Sequence, residues 1–191
     1  SANKSFLEGT WNRRLFGGQS MLSRMSLGII GLGRLGRKVA NYGKVFGMEV
    51  SYYDPFVNEE KDFHRSEDLY SLIQRSDVVS LHVPHVPATT GMFDRKCFEN
   101  MRAGSFLINT ARGELIDFSA LLEVLRSGHI GGAALDVFEG EFEPNFTADL
   151  KTHPVWQYAL ENSNLLVTPH IGGSTYDAWR LTEALTIERV V

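Results

Sequence analysis

Three groups of residues in the chain have types and spacings that could act together on a small polar molecule. The first is Gly31-Leu32-Gly33-Arg34-Leu35-Gly36, which follows the apolar run Ser26-Leu27-Gly28-Ile29-Ile30 and precedes a helix pattern at Leu35, Val39, Tyr42 and Phe46. Strand, glycine turn and helix is the context in which a GxGxxG segment receives a dinucleotide. The first glycine turns tightly, the second lets backbone approach a pyrophosphate, the third lets helix and strand pack closely, and the helix N-terminus offers amide donors. Asp54 lies eighteen residues after Gly36, at the end of Glu49-Val50-Ser51-Tyr52-Tyr53. An acid there accepts hydrogen bonds from an adenosine ribose and repels a 2′-phosphate. The second group is Arg112, in Thr110-Ala111-Arg112-Gly113, whose guanidinium can clamp a carboxylate through two parallel hydrogen bonds. The third is His170, in Thr168-Pro169-His170-Ile171-Gly172-Gly173, with Glu139, Glu141 and Glu143 upstream. An imidazole exchanges a proton with an oxygen near neutral pH, and a carboxylate beside it fixes its tautomer. Taken singly, each has a plainer reading: a surface arginine, a loop histidine satisfied by backbone, and an acidic loop in which two of the three glutamates are solvated.

These side chains can meet only if the elements before them end at a common edge. Apolar runs at about 26–30, 48–53, 78–83, 106–109, 133–137 and 165–168 read as six strands, with Pro84 and Pro169 stopping two of them. Amphipathic segments separate them. The helix around 67–75 carries Leu69, Leu72 and Ile73 on one face with Ser66 as its candidate N-cap, a short helix lies near 94–101, and Asp117 caps a helix that buries Leu121, Leu122 and Leu125 and ends before Gly128. Residues 139–163, with Pro144 and Pro154, read as a long loop packed down by Trp156 and Tyr158, and a last helix starts near Ser174 or Thr175. Nearly continuous apolar strands alternating with helices imply a six-stranded parallel sheet covered on both faces, the doubly wound (Rossmann) α/β fold. Its ligands bind beyond the carboxyl ends of the strands, where Gly31, Asp54, His82, Thr110 to Arg112, Asp136 and His170 fall.

The bulk properties restrict the alternatives. The chain has 191 residues, 43% of them hydrophobic and 22% charged, with a net charge of −4. That suits one globular domain, residues 26–191, preceded by an irregular arm over 1–25 that bears Phe6, Leu7, Trp11, Leu15 and Phe16 and breaks at Gly17-Gly18. The charge argues against nucleic acid or an anionic membrane as partner, and no apolar run approaches the roughly 20 residues of a membrane span. The single Cys97 has no internal disulfide partner, which suits the cytoplasm, and reads as a packing residue. His82 and His85 flank Val83-Pro84 without completing a metal set, and His64, His129 and His153 read as surface residues.

Five stretches together resemble a known family: Leu27 to Gly36, Leu81-His82-Val83-Pro84, Asn109 to Asp117, Ala133-Ala134-Leu135-Asp136-Val137-Phe138-Glu139, and Thr168 to Gly173. They are similar to the nucleotide-binding domain of the D-isomer-specific 2-hydroxyacid dehydrogenases, which oxidise D-2-hydroxy acids or reduce 2-keto acids with NAD. The resemblance implies that Arg112 binds the substrate carboxylate and carbonyl, that His170 is the general acid and base, and that Glu141, five residues after Asp136, is its partner. It also implies a cofactor site of Gly31, Gly33, Arg34, Leu35, Gly36, Asp54, His82, Val83, Pro84, Thr89, Thr110, Ala111, Arg112, Asp136, His170, Gly172 and Gly173. In that site Asp136 lies by the nicotinamide carboxamide; no metal is implied.

Two departures bear on these expectations. The family has Pro directly after the catalytic Glu, whereas here the run is Glu141-Phe142-Glu143-Pro144. Spacing from Asp136 therefore favours Glu141, and adjacency to Pro144 favours Glu143. Family enzymes also carry a second, substrate-binding domain, which this chain lacks, so it resembles an excised domain or a truncated gene product that would be inactive alone. A homodimer is expected, since family nucleotide domains pair and the arm is apolar. The alternative is an NAD(H)-sensing binding protein, as the related corepressors are.

Overall fold

Strands β1 (Ser26–Ile30), β2 (Glu49–Tyr53), β3 (His64–Arg65), β4 (Val78–Leu81), β5 (Phe106–Asn109), β6 (Gly132–Leu135) and β7 (Leu165–Val167) form one sheet in the order β3-β2-β1-β4-β5-β6-β7, all parallel. This computed structural model describes residues 2–12, 20–58 and 60–190; Leu15, Phe16 and the Gly17-Gly18 break expected in the arm lie outside the described residues. The strand order reverses between β1 and β4, the switch point at which doubly wound sheets open a crevice. The register aligns the strand ends: Ile30 faces Tyr53 on one side and Leu81 on the other, Leu81 faces Asn109, Asn109 faces Leu135, and Leu135 faces Val167. Gly31, Asp54, His82, Thr110, Asp136 and Thr168 consequently emerge along a single edge.

The sheet has seven strands rather than the expected six. The additional β3 is two exposed residues that pair with Ser51 and Tyr52 at the sheet margin, too short and too polar to leave an apolar signal. Both faces of the central strands are buried. Leu27, Ile29, Val50 and Tyr52 pack with Ala40, whereas Ile30, Val79, Leu81, Leu107 and Leu135 join the larger cluster with Leu72, Phe98, Leu121 and Val155.

Helix α1 (Ala2–Leu7) occupies part of the arm expected to be irregular. Helix α2 (Arg34–Val45) forms where the pattern placed it but buries a different face: Gly36, Ala40 and Gly43 are inside, while Leu35, Tyr42 and Phe46 are more than half exposed. The axis lies so close to the sheet that only small residues fit beneath it. Helix α3 (Leu69–Arg75) is capped by Asp68, which accepts from the Ser71 amide, and not by Ser66, whose own amide donates to Tyr52 O and continues the sheet edge. Helix α4 (Arg95–Asn100) buries Cys97, and burial, with the nearby Asp94 charge, pushes its thiol up to about 11. Helix α5 (Phe118–Ser127) is capped by Asp117 and ends at Gly128 in the left-handed region.

The segment 139–163 is not one loop. It contains α6 (Phe146–Asp149), a 3-10 turn (Leu150–Thr152) and α7 (Pro154–Glu161). Pro154 opens α7 at a position where a helix tolerates proline, because no N–H is needed there. His153 is not a surface residue: its Nδ1 caps α7 at Val155, and its ring meets Phe118 and Phe138 edge-on. Tyr158 is buried while Trp156 keeps 37% of its surface. Helix α8 (Tyr176–Val190) follows β7. Among the described residues no helix is long and apolar enough to cross a membrane.

Candidate active site

The crevice between β1 and β4 is built around Gly31. Its φ of 90° lies in the left-handed region, and a Cβ there would come 2.7 Å from Val83 Cγ1 and 2.9 Å from the His82 carbonyl. Both backbone conformation and space therefore demand glycine. A Cβ on Gly36 would overlap the Gly31 carbonyl oxygen, so the first turn of α2 rests directly on the glycine turn. Around Gly33 there is open space, and Gly33 brings no side-chain cap to α2. The first-turn amides of a helix have no intrahelical partner, so the space and the donors fit a phosphate. Arg34 and Leu35 are exposed on that turn.

Asp54 is half-buried at the end of β2. Its Oδ2 accepts from the Leu32 amide and its Oδ1 from the Phe56 amide, each at 2.8 Å. The carboxylate thus ties the second strand to the glycine turn and keeps lone pairs for a hydroxyl. His82 Nε2 lies 2.9 Å from Ser80 Oγ, and burial holds its pKa below the usual histidine range. Thr89 Oγ1 donates to Pro84 O at 2.7 Å and accepts from the Val86 amide, so this hydroxyl braces the 84–89 turn.

At the other end of the edge, the structure brings His170 and Glu141 together: Nδ1 lies 2.9 Å from Glu141 Oε1. The carboxylate is the more enclosed partner, with 12% of its side chain exposed against 36% for the histidine. Glu139 and Glu143 are exposed. Arg112 is also exposed and donates within its own loop, to Ala111 O at 2.6 Å. It follows β5, and His170 follows β7, with β6 between them. Gly113 lets the two intervening loops meet backbone to backbone, since a Cβ there would overlap Phe138 and Glu139.

Three participants carried no signal strong enough to single them out. Asn109 is fully buried; its Nδ2 donates to Arg112 O and its Oδ1 accepts from Ala111 N, which shapes the arginine loop. An amide side chain closing an apolar strand was the available clue. Thr168 donates to Asp136, 32 residues upstream, a contact no local pattern encodes. Phe142, 76% exposed, places its ring 5.9 Å from that of His170. Among the described residues no group of three or more His, Cys, Asp or Glu is placed to hold a metal.

A glycine-turn crevice and a histidine–glutamate pair on one edge of a doubly wound sheet define the class. Residues 1–172 match the D-isomer specific 2-hydroxyacid dehydrogenase NAD binding domain, and the chain belongs to that family. It is 40% identical over 182 residues to D-3-phosphoglycerate dehydrogenase of Escherichia coli K12, covering 93% of this chain and 42% of that protein. The solved structure of D-2-hydroxyisocaproate dehydrogenase superposes with a TM-score of 0.87 at 29% identity, over 97% of this chain and 58% of that one. D-lactate dehydrogenase from Aquifex aeolicus, solved with NAD and lactic acid, gives a TM-score of 0.78 at 34% identity, over 93% of this chain and 57% of that one. The chain thus spans less than two thirds of the length of each of these relatives.

Proposed function

We propose that this chain is the NAD(H)-binding part of an enzyme that interconverts D-2-hydroxy acids and 2-keto acids. The observation that carries the reading is the His170–Glu141 pair, held at 2.9 Å on the same sheet edge as the Gly31 turn and Asp54. When bound, NAD supplies the hydride acceptor or donor. The α2 N-terminus takes the pyrophosphate, and Asp54 takes the ribose hydroxyls and disfavours a 2′-phosphate. Arg112 pairs with the substrate carboxylate. Glu141 accepts from Nδ1–H, which leaves Nε2 as the atom that takes a proton from the substrate hydroxyl or returns one to the carbonyl. His82 to Pro84, Thr89, Thr110, Ala111, Asp136, Gly172 and Gly173 complete the cofactor side.

Residues 26–191 form the cofactor domain in this reading, and 1–25 an arm that helps to pair two copies. Leu35, Tyr42, Val45 and Phe46 on α2 and Phe6 and Trp11 on the arm are all more than half exposed, which favours a homodimer. The reducing cytoplasm suits the lone Cys97 thiol, and the net charge of −4 gives no attraction for nucleic acid. Loss of NADH absorbance is followed with glyoxylate, hydroxypyruvate and pyruvate, using these 191 residues and a longer chain of which they form part. The short chain is expected to bind NADH with negligible turnover, because catalysis needs a closed cleft and reacting atoms about 3–3.5 Å apart. A longer chain with no His170-dependent turnover of any 2-keto acid would sink the enzymatic reading. Sedimentation at micromolar concentration showing only a 21.4 kDa species would remove the dimer.

A further inference from the structure

His170 is the one residue other than glycine described with a left-handed backbone, at φ 51°. Residues with a Cβ rarely hold that conformation unless their surroundings impose it. The imposing contacts converge on one side chain. Asp136 follows β6 and is only 7% exposed. Its Oδ1 accepts from Thr168 Oγ1 at 2.5 Å and from the Ile171 amide at 2.9 Å, and its Oδ2 accepts from the Gly172 amide at 2.8 Å. The donors lie on both sides of His170 in sequence. Within the turn the His170 amide closes back onto Thr168 O at 3.0 Å, and a Cβ on Gly172 would stand 2.8 Å from Asp136 Oδ2.

We propose that Asp136 is a positioning residue for His170: its carboxylate clamps the 168–172 turn in the left-handed shape that keeps the imidazole against Glu141. A carboxylate is the side chain for this task, because it only accepts and has about four acceptor sites, three of which are used here. Burial alone would raise its pKa, but the hydrogen bonds from Thr168, Gly172 and Ile171 outweigh it and hold the group below the usual aspartate range. The clamp is therefore charged near neutral pH. The inference rests on the proposed acid–base role of His170, and it adds a task for Asp136 besides any contact with a cofactor.

The test separates the clamp from that reading. Amide exchange and the ¹⁵N shifts of the His170 ring are measured by NMR on this chain without cofactor, for wild type, Asp136→Asn, Thr168→Val and Thr168→Ser. Asn puts a donor in the place of one oxygen, and Val removes one donor with little change of shape. Both variants are expected to lower protection of the Ile171 and Gly172 amides at least tenfold, beyond any change at the amides of the central strands, and to diminish the Nδ1–H signature of His170. Thr168→Ser, which keeps the hydroxyl, is expected to restore both readouts. Wild-type protection and ring signature retained in Thr168→Val would overturn the proposal, as would failure of Thr168→Ser to recover them. Should Asp136→Asn fail to fold, Thr168→Val and Thr168→Ser carry the test alone. NADH titration of the wild type tests the functional reading independently, since it can fail while the clamp survives.

Discussion

Gly36 and Gly43 are both buried on α2, and both would gain helix propensity as alanine, by up to about 1 kcal/mol. Their surroundings predict opposite outcomes. At Gly43 the nearest obstacle to a Cβ is Leu27 Cδ2 at 2.6 Å, the tip of a side chain that can rotate away, followed by Val50 Cγ2 at 3.2 Å. At Gly36 the obstacle is the carbonyl oxygen of Gly31, followed by its carbon at 3.1 Å and Ile29 Cγ2 at 3.3 Å. A backbone oxygen in a turn whose Gly31 amide donates to Tyr53 O cannot rotate aside; the turn must move or α2 must lift. Overpacking of that kind costs about 1–3 kcal/mol, so Gly36→Ala is expected to be destabilised by about 1–2 kcal/mol after the propensity gain. In a chain of this size that lowers Tm by about 2–8 °C. Gly43→Ala should stay within about 1 kcal/mol of wild type. The displaced turn also carries the amides proposed to meet the pyrophosphate, so Gly36→Ala should weaken NADH binding at least tenfold while Gly43→Ala leaves it within threefold. Thermal melts followed by circular dichroism, together with NADH fluorescence titration, read both effects. Equal behaviour of the two variants would refute the argument, because it would mean that the identity of the blocking atom is irrelevant.

Asp54→Ala removes a charged acceptor from two amides and the proposed partner of the ribose. Hydrogen bonds to charged groups contribute about 1.5–3 kcal/mol, so NADH affinity should fall at least tenfold and the preference over NADPH should vanish; competitive titration of both cofactors checks it. Cys97, with a thiol near 11, holds about one part in a thousand of thiolate at pH 8. Its reaction with a disulfide reagent should be at least 100-fold slower than that of free cysteine, and immediate stoichiometric release would contradict the burial. Asp136 supplies the pH dependence. Its folded pKa is depressed below the ordinary aspartate range, so its contribution is fully present above the unfolded value. It is lost only as pH falls through the lower folded value. Protection of the Ile171 and Gly172 amides should therefore persist at pH 5 and fade only in stronger acid; loss between pH 7 and 5 would refute it.

The sheet was legible because its central strands are buried on both faces, so Leu27 to Ile30 appears as an unbroken apolar run and Val78 to Leu81 as one interrupted only by the buried Ser80. The glycine turn and Asp54 were legible because each stands directly after a strand, the first after an apolar run and the second after the alternating Glu49 to Tyr53. What escaped detection depends on contacts across the fold. Periodicity assigned Leu35, Tyr42 and Phe46 to the buried side of α2, whereas close packing on the sheet selects Gly36, Ala40 and Gly43, residues that hydrophobicity ranks low. Pro154 signalled a loop and instead opens α7. Ser66 read as the cap of α3, but its amide continues the sheet edge and Asp68, two residues on, holds the cap. Spacing from Asp136 and adjacency to Pro144 pulled the choice of glutamate in opposite directions, and the turn at Gly140 leaves Glu141, not Glu143, facing His170.

The polar residues that shape the site follow a rule that no local pattern carries. Asn109 and Asp136 close neighbouring strands, are 0% and 7% exposed, and are joined by the Asp136 amide donating to Asn109 O. Neither faces solvent, yet each spends its side chain on the backbone of a candidate-site loop: Asn109 on the loop of Arg112, Asp136 on the turn of His170. Buried polar groups without partners would destabilise the sheet end by about 1–3 kcal/mol each, so the loops must close for the strands to be satisfied. The fold and the geometry of the candidate site are consequently one requirement. A chain that pairs β5, β6 and β7 correctly has already drawn Arg112 and His170 onto the same edge, before any ligand arrives.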